Sequence, residues 1–397
     1  MSKKITQDKS MLSIADSTVA EVISEHSLNE KLKSGRKLII KFGVDPTSPD
    51  LHLGHAIALH KLRQFQDLGH RTILLIGDFT TKIGDPSGRN STRPVLSDEQ
   101  IKSNMETYIK QARLIIDPKK TRIQFNSEWL AKKSYADFIQ VAMQVNVQTL
   151  LEREDFAARL KQSQPLGFHE LFYPVTQGLD SVEMKADVEI GGWDQRLNLL
   201  MGRELQKKFG QTPQDIVVIK GLVGLDGQKK MSKSYGNYVG LTESADSMFG
   251  KLMSIPDHLI QSYAELAALM TSDEIKQLPK HPRDRKAAVA EKVVALYHGQ
   301  KAAEVAKIAF DQTFKDGKVA DQLVTDLFFS DSKIQLLEAV TAAAQVSRSQ
   351  AQRLIEQKAV RLDGQVADQI NLEISLTTDH HRLQVGKHTW CDLRRRT

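Results

Sequence analysis

Two short apolar segments, residues 37–44 and 71–79, flank a stretch with helical periodicity and constrain the fold more than any other feature. Both are rich in isoleucine and leucine, which is typical of strands buried on both faces of a parallel sheet. The stretch between them predicts a helix that begins near His52 and ends at Gly69. This order of strand, helix and strand predicts a right-handed parallel unit, in which ligands bind at the carboxyl ends of the strands.

Two histidines stand at the start of this predicted helix. His52 and His55 are three residues apart and therefore share one helix face. The unpaired backbone N–H groups and the helix dipole favour an anion there, so the pair predicts a phosphate site. Gly54 between them leaves room for a flat ligand to lie on the backbone. Taken alone, two solvated histidines on a turn are the better interpretation.

Polar residues follow both predicted strands. Asp45 and Thr47 come after the first strand, and the loop after the second strand contains Asp85 and Arg89. This loop carries two glycines, two acids and two bases between residues 78 and 89, so it can hold an ammonium group and a phosphate together. A plain surface turn explains the loop equally well.

A third group of polar residues lies on a predicted helix. Tyr173, Gln177 and Asp180 are spaced by four and three residues, and their neighbours in the sequence are mostly apolar. A solvated helix face is the usual meaning of such spacing, but apolar neighbours favour a partly buried polar cluster. Such a cluster can recognise a hydroxyl group and an amine.

Two further loops follow predicted strands. Gly191 and Gly192 end a strand and precede Asp194, which suits close backbone approach and ribose hydroxyls, although a plain β-turn also needs such glycines. Residues 226–234 contain three lysines among small residues shortly after another strand. Lysines are mobile point charges suited to phosphate, whereas most lysine-rich loops are simply solvated.

Composition limits the class of protein. The 397 residues are 40% hydrophobic and 26% charged, which predicts an ordinary soluble protein of two or three domains. The net charge of +6 is compatible with a nucleic-acid partner without requiring one. The single cysteine, Cys391, argues against a disulfide framework and favours a reducing compartment. We expect neither export nor membrane anchoring, and the cytoplasm is the expected location.

The rest of the chain has weaker signals. Helix is predicted over about 10–35, over 97–118 and in four pieces between 248 and 296, while 318–331 reads as a linker. The last part predicts a helix over 332–344, a basic helix and a hairpin with its turn at Asp363-Gly364. The basic residues of this part would give a face for a phosphate backbone, although a solvated charged face explains them equally well. They are Arg348, Arg353, Lys358 and Arg361.

Residues 52–55, His-Leu-Gly-His, followed 175 residues later by residues 230–234, Lys-Met-Ser-Lys-Ser, resemble the two signatures of class I aminoacyl-tRNA synthetases. The chain is most similar to tyrosyl-tRNA synthetases of the bacterial type. Their further motifs occur here in the same order: Asp-Pro-Thr at 45–47, Gly-Asp-Pro-Ser-Gly at 84–88, Tyr-x-x-x-Gln-x-x-Asp at 173–180 and Gly-x-Asp-Gln at 192–195. The C-terminal 60 or so residues resemble the small RNA-binding domain that these enzymes share with a ribosomal protein.

This resemblance implies a fold of three domains. The first, over residues 1–240, is a catalytic domain with a Rossmann-like, doubly wound parallel α/β sheet. An α-helical domain that binds the anticodon arm follows over 241–325, and a small α+β RNA-binding domain occupies 330–397.

The resemblance also assigns the site residues. The implied catalytic residues are Thr47, His52, His55, Lys230, Lys233 and Arg89. The implied tyrosine-binding residues are Asp85, Tyr173, Gln177, Asp180, Thr80, Asn126, Gln195 and Lys41. The implied ATP-binding residues are Gly43, Asp45, His52, Gly54, His55, Gly192, Asp194 and Lys233. RNA would be bound by Arg348, Arg353, Lys358 and Arg361.

Two positions depart from the family pattern. Many bacterial members carry a tyrosine in place of Lys41, where it shares the phenol hydroxyl with the carboxylate at the position of Asp180. The ammonium of Lys41 either pairs with Asp180 or points away from it. Trp193 replaces a smaller residue in the Gly-x-Asp-Gln turn. Asp180 alone could separate tyrosine from phenylalanine by roughly ten-thousandfold.

The implied reaction is tyrosine–tRNA ligation. Tyrosine would react with ATP to give tyrosyl-adenylate and pyrophosphate, and the terminal adenosine of tRNA(Tyr) would then accept the tyrosyl group and release AMP. ATP enters as a substrate and carries its own Mg²⁺, with no protein-bound metal or organic cofactor expected. The resemblance also implies a homodimer, and no membrane partner is expected.

Three alternatives compete with this assignment. A tryptophanyl-tRNA synthetase has a similar fold, but Asp180 and the helix with Tyr173 and Gln177 argue against it. A non-catalytic RNA-binding protein derived from a synthetase is disfavoured because both histidines and both signature lysines are present. A small-molecule nucleotidylyltransferase leaves the basic C-terminal part unexplained.

Overall fold

The computed structural model of the chain describes residues 14–87, 96–315, 325–344, 346–376, 381–386 and 389–395. Their contacts divide into two units, one up to Ala303 and the other from Glu304. The proposed three-domain division stays a prediction. None of the described helices is long and apolar enough to cross a membrane.

A six-stranded sheet organises the first unit. Its strands are β1 (Val19–Ile23), β2 (Ile39–Val44), β3 (Arg71–Ile76), β4 (Thr121–Phe125), β5 (Val188–Gly192) and β6 (Asp215–Ile219). They lie in the order β1-β6-β5-β2-β3-β4, and all neighbours are parallel except β1 and β6. The chain moves outward from β2 in one direction through β3 and in the other through β5. The predicted doubly wound α/β sheet is thus confirmed, and its switch point, where ligands bind in such sheets, lies between β2 and β5.

Fifteen helices are described up to residue 315, apart from short 3-10 turns. They are α1 (Glu25–Lys33), α2 (Leu53–Asp67), α3 (Thr80–Ile83), α4 (Asp98–Ala112), α5 (Ser127–Leu130), α6 (Tyr135–Ala142), α7 (Val147–Leu151), α8 (Glu154–Lys161), α9 (Phe172–Met184), α10 (Arg196–Lys208), α11 (Ala245–Met253), α12 (Ile260–Leu266), α13 (Ser272–Lys276), α14 (Pro282–His298) and α15 (Gln300–Lys315). The core lies where apolar helix faces meet the strands, as at Leu62, Leu74 and Val217, which are at most 1% exposed.

Helix α2 matches its prediction closely. It begins after His52, ends at Asp67 and is followed by Gly69, whose φ of +86° suits a residue without Cβ. The unit of β2, α2 and β3 is therefore parallel, as its sequence pattern predicts. In this unit α2 begins just beyond the carboxyl end of β2.

A second sheet organises the second unit. Its elements are β7 (Thr325–Phe329), β8 (Lys333–Gln335), α16 (Leu336–Ala344), α17 (Arg348–Glu356), β9 (Val360–Leu362), β10 (Gln365–Val366), β11 (Glu373–Ser375), β12 (His381–Val385) and β13 (Thr389–Arg395). Five strands pair in the order β10-β9-β12-β13-β7, and β8 pairs with β11. Both helices bury apolar residues against this core, among them Val340 and Ile355. The predicted hairpin at Asp363-Gly364 is confirmed by the pairing of β9 with β10.

The predicted helix over residues 10–35 is partly wrong. Residues 19–23 form β1, which pairs antiparallel with β6, and α1 follows it as a helix; residues 10–13 lie outside the described residues. Val19, Val22 and Ile23 fit a helical spacing in a short window, but β-branched residues also suit a strand. These residues form a strand and not a helix because they pair with the edge of β6 that β5 leaves open.

Two predictions near the second unit also need correction. The predicted linker over 318–331 contains β7, which pairs in parallel with β13; residues 318–324 lie outside the described residues. The helix predicted from residue 332 begins only at Leu336, because Lys333–Gln335 pairs with β11. In both cases a strand depends on a partner more than 35 residues away, which local periodicity cannot reveal.

Candidate active site

The two histidines at the start of α2 cap the helix with their side chains. The Nδ1 atom of His52 accepts the N–H of Gly54 at 3.1 Å, and the Nδ1 atom of His55 accepts the N–H of His52 at 3.3 Å. The two ring centroids are 3.9 Å apart. Because each Nδ1 atom accepts a hydrogen bond, each neutral ring carries its proton on Nε2. Both imidazoles are therefore hydrogen-bond donors at Nε2.

Both imidazoles are held in the neutral form. Burial, assisted by the ammonium groups of Lys230 and Lys233, lowers the pKa of His55 to about 4. Burial also lowers the pKa of His52 far below its usual value, with further contributions from His55 and the same lysines. At neutral pH the pair can therefore donate hydrogen bonds to an anion without being charged.

The structure explains why residue 54 is a glycine, and the explanation differs from the predicted one. A Cβ atom at Gly54 would lie only 2.9 Å from Cε1 of His52. The space that the missing side chain leaves is thus occupied by the imidazole of His52. The place of Gly54 in an ATP site stays a prediction.

The lysine-rich loop lies near these histidines. The ammonium of Lys230 is 2.7 Å from Oδ2 of Asp194, and that of Lys233 is 2.5 Å from Oδ2 of Asp50. Just after the loop, Leu53 donates its N–H to Val239 O at 3.0 Å, and Leu241 donates to Leu51 O at 3.0 Å. These backbone bonds join the start of α2 to the segment that directly follows the lysine-rich loop, although 186 and 190 residues separate the bonded pairs in the chain.

A buried side chain links two parts of the lysine loop. Asn237, 3% exposed, accepts the N–H of Ser232 at 2.8 Å and donates to Oδ2 of Asp226 at 2.7 Å. Asn237 therefore sets the form of the loop that carries Lys230 and Lys233.

A chain of polar side chains crosses the carboxyl ends of β2 and β3. Asp45 accepts hydrogen bonds from Thr80 Oγ1 at 2.8 Å and from the Tyr173 hydroxyl at 2.9 Å. Gly77 is required here, because a Cβ atom on it would overlap Asp45 Oδ1 and Thr80 Oγ1. Asn126 continues the chain by donating to Thr80 Oγ1 at 3.0 Å.

The chain ends at Asp180, which is 2% exposed. Its carboxyl oxygens accept hydrogen bonds from Trp129 Nε1 at 2.8 Å and from Asn126 Nδ2 at 3.2 Å. Burial raises the pKa of Asp180 to about 7, although the ammonium of Lys41 and both donors oppose this shift. Asp180 is thus a buried acceptor whose charge depends on its neighbours.

Lys41 does not pair with Asp180, so that predicted alternative is wrong. Its ammonium lies 3.2 Å from Oε1 of Glu189, and it donates to Ser181 Oγ at 2.8 Å. Gln177 also contacts Glu189, through a hydrogen bond of 3.1 Å from Nε2. The Oε1 atom of Gln177 is buried and has no hydrogen-bond partner within the described part of the chain.

The remaining predicted residues surround these groups. Asp85 accepts from the N–H of Ser87 at 2.9 Å and from Gln195 Nε2 at 3.5 Å. Thr47 donates its backbone N–H to Asp45 O at 2.8 Å. Gly43 lies near the end of β2, and Gly192 ends β5. Trp193 follows β5 and is exposed. Arg89 lies outside the described residues.

The four basic residues predicted to bind RNA lie in the second unit. Arg348 and Arg353 belong to α17, Lys358 follows it, and Arg361 lies in β9. All four side chains are exposed. The Nζ atom of Lys358 lies 3.7 Å from Oδ2 of Asp368, and the guanidinium of Arg361 donates to Gly364 O at 3.0 Å.

Sequence reasoning missed several residues of the site. They are Asp50, Gly77, Trp129, Ser181, Glu189, Asn237 and Arg153, whose guanidinium bonds Ser87 Oγ at 2.6 Å. A charged residue inside an apolar strand, such as Glu189 in β5, was the one available signal, because such a group needs a buried partner. The described residues contain no group of three or more His, Cys, Asp or Glu side chains placed to hold a metal ion.

Comparison with known families gives two matches. The profile of the class I tRNA synthetases for tryptophan and tyrosine matches residues 33–315, and that of the S4 domain matches residues 342–377. The tyrosine–tRNA ligase of Carboxydothermus hydrogenoformans is 44% identical over 395 residues, covering 96% of each chain. That of Mannheimia succiniciproducens is 46% identical and covers 93% of this chain and 94% of its own.

Solved structures share the fold at lower identity. The tyrosyl-tRNA synthetase of Archaeoglobus fulgidus in complex with L-tyrosine superposes with a TM-score of 0.62 at 23% identity, covering 76% of this chain and 99% of that one. A C-terminally truncated mitochondrial tyrosyl-tRNA synthetase of Aspergillus nidulans superposes with a TM-score of 0.64 at 19% identity, covering 78% of this chain and 94% of that one.

Proposed function

Because the chain belongs to the tyrosine–tRNA ligases of the class I aminoacyl-tRNA synthetases, we propose that it activates tyrosine with ATP and transfers the tyrosyl group to tRNA(Tyr). The observation that carries this proposal is the convergence of His52, His55, Lys230 and Lys233 beside the polar chain that ends at Asp180.

The first step is attack of the tyrosine carboxylate on the α-phosphorus of ATP. The new P–O bond forms as the bond to the β-phosphate oxygen breaks, and pyrophosphate leaves with the electron pair. The two Nε2–H donors of His52 and His55 can stabilise the charge that develops on the phosphate, while Lys230 and Lys233 neutralise the leaving group. ATP brings the Mg²⁺ that such a triphosphate carries.

The polar chain supplies the tyrosine site. Asp180 accepts the phenol hydrogen bond, and its fixed donors Asn126 and Trp129 hold the carboxyl in place. The buried Oε1 atom of Gln177 supplies an acceptor for the ammonium, next to Tyr173 and Asp85. Thr80 and Asn126 complete the wall, and Gln195 lies near the carboxylate.

The ATP site lies at the switch point of the sheet. Asp194 suits the ribose hydroxyls. A Cβ atom on Gly192 would lie 2.7 Å from Asp194 Oδ1, so the glycine leaves room for this carboxylate beside the nucleotide. Gly43, Asp45 and Gly54 border the nucleotide from β2 and α2, Thr47 lies beside Asp45, and Arg89 assists. Lys230 and Lys233 must exchange their carboxylate partners for phosphate oxygens when ATP binds.

The test of the reaction is ATP–pyrophosphate exchange with a panel of amino acids. Tyrosine is expected to drive exchange, and phenylalanine is expected to be poorer by about ten-thousandfold in kcat/KM, because the site hydrogen-bonds the missing hydroxyl. Exchange driven by tryptophan in preference to tyrosine would support the tryptophanyl alternative. A chain that exchanges with none of the amino acids would support the non-catalytic one.

The second unit is proposed to bind tRNA. Arg348, Arg353, Lys358 and Arg361 are all exposed, and they lie in the region that matches the S4 domain profile. Neutralising phosphates with such residues makes affinity fall with salt.

Charge reversal on this surface should weaken tRNA binding without affecting exchange. Arg353→Glu is expected to raise the KM for tRNA in charging assays by about tenfold and to reduce its salt dependence. Lys333→Glu is the control, because Lys333 is also exposed but pairs with Glu373 across β8 and β11. Equal effects of both variants would argue against a specific RNA surface.

A homodimer and a cytoplasmic location are also proposed, as the family resemblance implies. Exposed apolar side chains in the insertion between β4 and β5 support the dimer. Tyr135, Met143 and Phe168 are 81%, 72% and 73% exposed, which favours burial against another protein surface.

A further inference from the structure

A buried ion pair lies in the crevice between β2 and β5. Lys41 and Glu189 are direct neighbours in the parallel register of these strands, and both side chains are 1% exposed. Their Nζ and Oε1 atoms are 3.2 Å apart. The pair therefore lies at the switch point of the sheet, directly behind α9.

All the hydrogen-bonding capacity of the Lys41 ammonium is directed at protein groups. It has three N–H donors. They are matched by Glu189 Oε1, by Ser181 Oγ at 2.8 Å and by the carbonyl oxygen of Gln177 at 3.3 Å. No donor is left for a substrate hydroxyl, so Lys41 does not bind the phenol itself.

Glu189 holds the same helix from the other strand. Its carboxylate accepts from Gln177 Nε2 at 3.1 Å and from Ser181 Oγ at 3.2 Å, and Gln214 Nε2 also bonds it. The two opposite charges thus bind α9 at positions 177 and 181. Asp180 lies within this clamped turn and points into the polar chain with Asn126 and Trp129.

Stability alone does not call for this arrangement. Removing two charges from water costs free energy that their attraction often does not return, and replacing a buried pair with apolar residues of similar size is often neutral or stabilising. What the charged pair supplies is a set of directional bonds to one turn of one helix. That turn carries both Gln177 and Asp180.

We propose that the Lys41–Glu189 pair determines selectivity for tyrosine by fixing the turn of α9 that carries Gln177 and Asp180, with Lys41 as a positioning residue and not a substrate contact. This inference rests on the proposed activation of tyrosine. It places the discrimination between tyrosine and phenylalanine partly in two residues that never touch the amino acid.

The test is Lys41→Met in ATP–pyrophosphate exchange with tyrosine and with phenylalanine. The ratio of kcat/KM for tyrosine over phenylalanine should fall by about tenfold to a hundredfold, since a shift of about 1 Å in a positioned group has effects of this size. The loss should come from a higher KM for tyrosine, while the KM values for phenylalanine and ATP stay near those of the unmodified chain. An unchanged ratio overturns the inference.

Two further variants separate positioning from general destabilisation. Lys31→Met is the matched control, because Lys31 is also buried, pairs with Asp215 at 2.9 Å and lies away from Asp180 on α1. It should lower the melting temperature but keep the ratio. The double variant Lys41→Met/Glu189→Gln leaves no unpaired buried charge, so it should melt near the unmodified chain and still lose selectivity.

The outcomes of these variants are distinguishable. Two outcomes would overturn the inference, because each would mean that Lys41 only stabilises the fold. One is restored selectivity in the double variant, and the other is a loss of selectivity in Lys31→Met equal to that in Lys41→Met. If the unmodified chain fails to exchange with tyrosine, the proposed function fails first. If the unmodified chain exchanges with tyrosine but the Lys41 variants keep its selectivity, only the inference fails and the proposed function stands.

Discussion

Replacing His55 with alanine is expected to lower the rate of tyrosyl-adenylate formation by about a hundredfold, because it removes one fixed donor to the charge that develops on the α-phosphate. The KM for tyrosine should change by less than about threefold, since the ring contributes to the transition state and not to amino-acid binding. His52→Ala should behave similarly. Single-turnover measurements at varied tyrosine concentrations separate the two quantities.

The helix itself offers a control for this prediction. His60 also belongs to α2 and is held neutral by burial, and its Nε2 atom lies 3.3 Å from the Tyr297 hydroxyl. His60→Ala should lower stability but leave the adenylation rate within about twofold, as expected for a residue without contact to the reaction. A rate loss in His60→Ala equal to that in His55→Ala would mean that the histidines serve the fold.

The pH profile gives a second measurement on the same histidines. The pKa of His55 is about 4 and that of His52 is lower, so both rings are neutral well below physiological pH. Between about pH 6 and 8 the two imidazoles should therefore contribute no inflection to the adenylation rate. An inflection that disappears in His55→Ala would show that the charged imidazolium is the active form.

Replacing Lys233 with alanine should lower the adenylation rate by about a hundredfold to a thousandfold. Lys233 is paired with Asp50 at 2.5 Å, and its ammonium lies 5.5 Å from the centre of the Tyr238 ring, so it is held close to His52 and His55. The loss should appear in the exchange rate at saturating ATP. Lys230→Ala should give a smaller loss, because Lys230 is more exposed, at 56% against 19% for Lys233.

The neighbouring Lys229 provides the matched control. It belongs to the same loop and is exposed, with its ammonium 4.8 Å from the centre of the Tyr235 ring. Lys229→Ala should change exchange by less than about twofold, because an exposed lysine contributes little. If all three lysines prove equivalent, the loop acts through its overall charge and not through two placed ammonium groups.

The sequence predicted the helices that carry the candidate site residues more completely than the contacts between those residues. The spacing of His52 and His55 and the periodicity of Tyr173, Gln177 and Asp180 are local properties of helices, and the structure places both groups as predicted. The partners of Lys233 and Lys41 were not predictable in the same way. Asp50 and Glu189 are 183 and 148 residues away in the chain, so no local pattern links them.

By itself the sequence determined the parallel unit of β2, α2 and β3, the two ends of α2 and the hairpin at Asp363-Gly364, because each depends on residues close together in the chain. Only the tertiary structure decided that residues 19–23 form a strand and that Lys41 binds Glu189 and not Asp180. The physical reason is the strand order. It places β2 beside β5 and β1 beside β6, and a buried charge or a strand edge takes its partner from whichever segment the fold brings next to it.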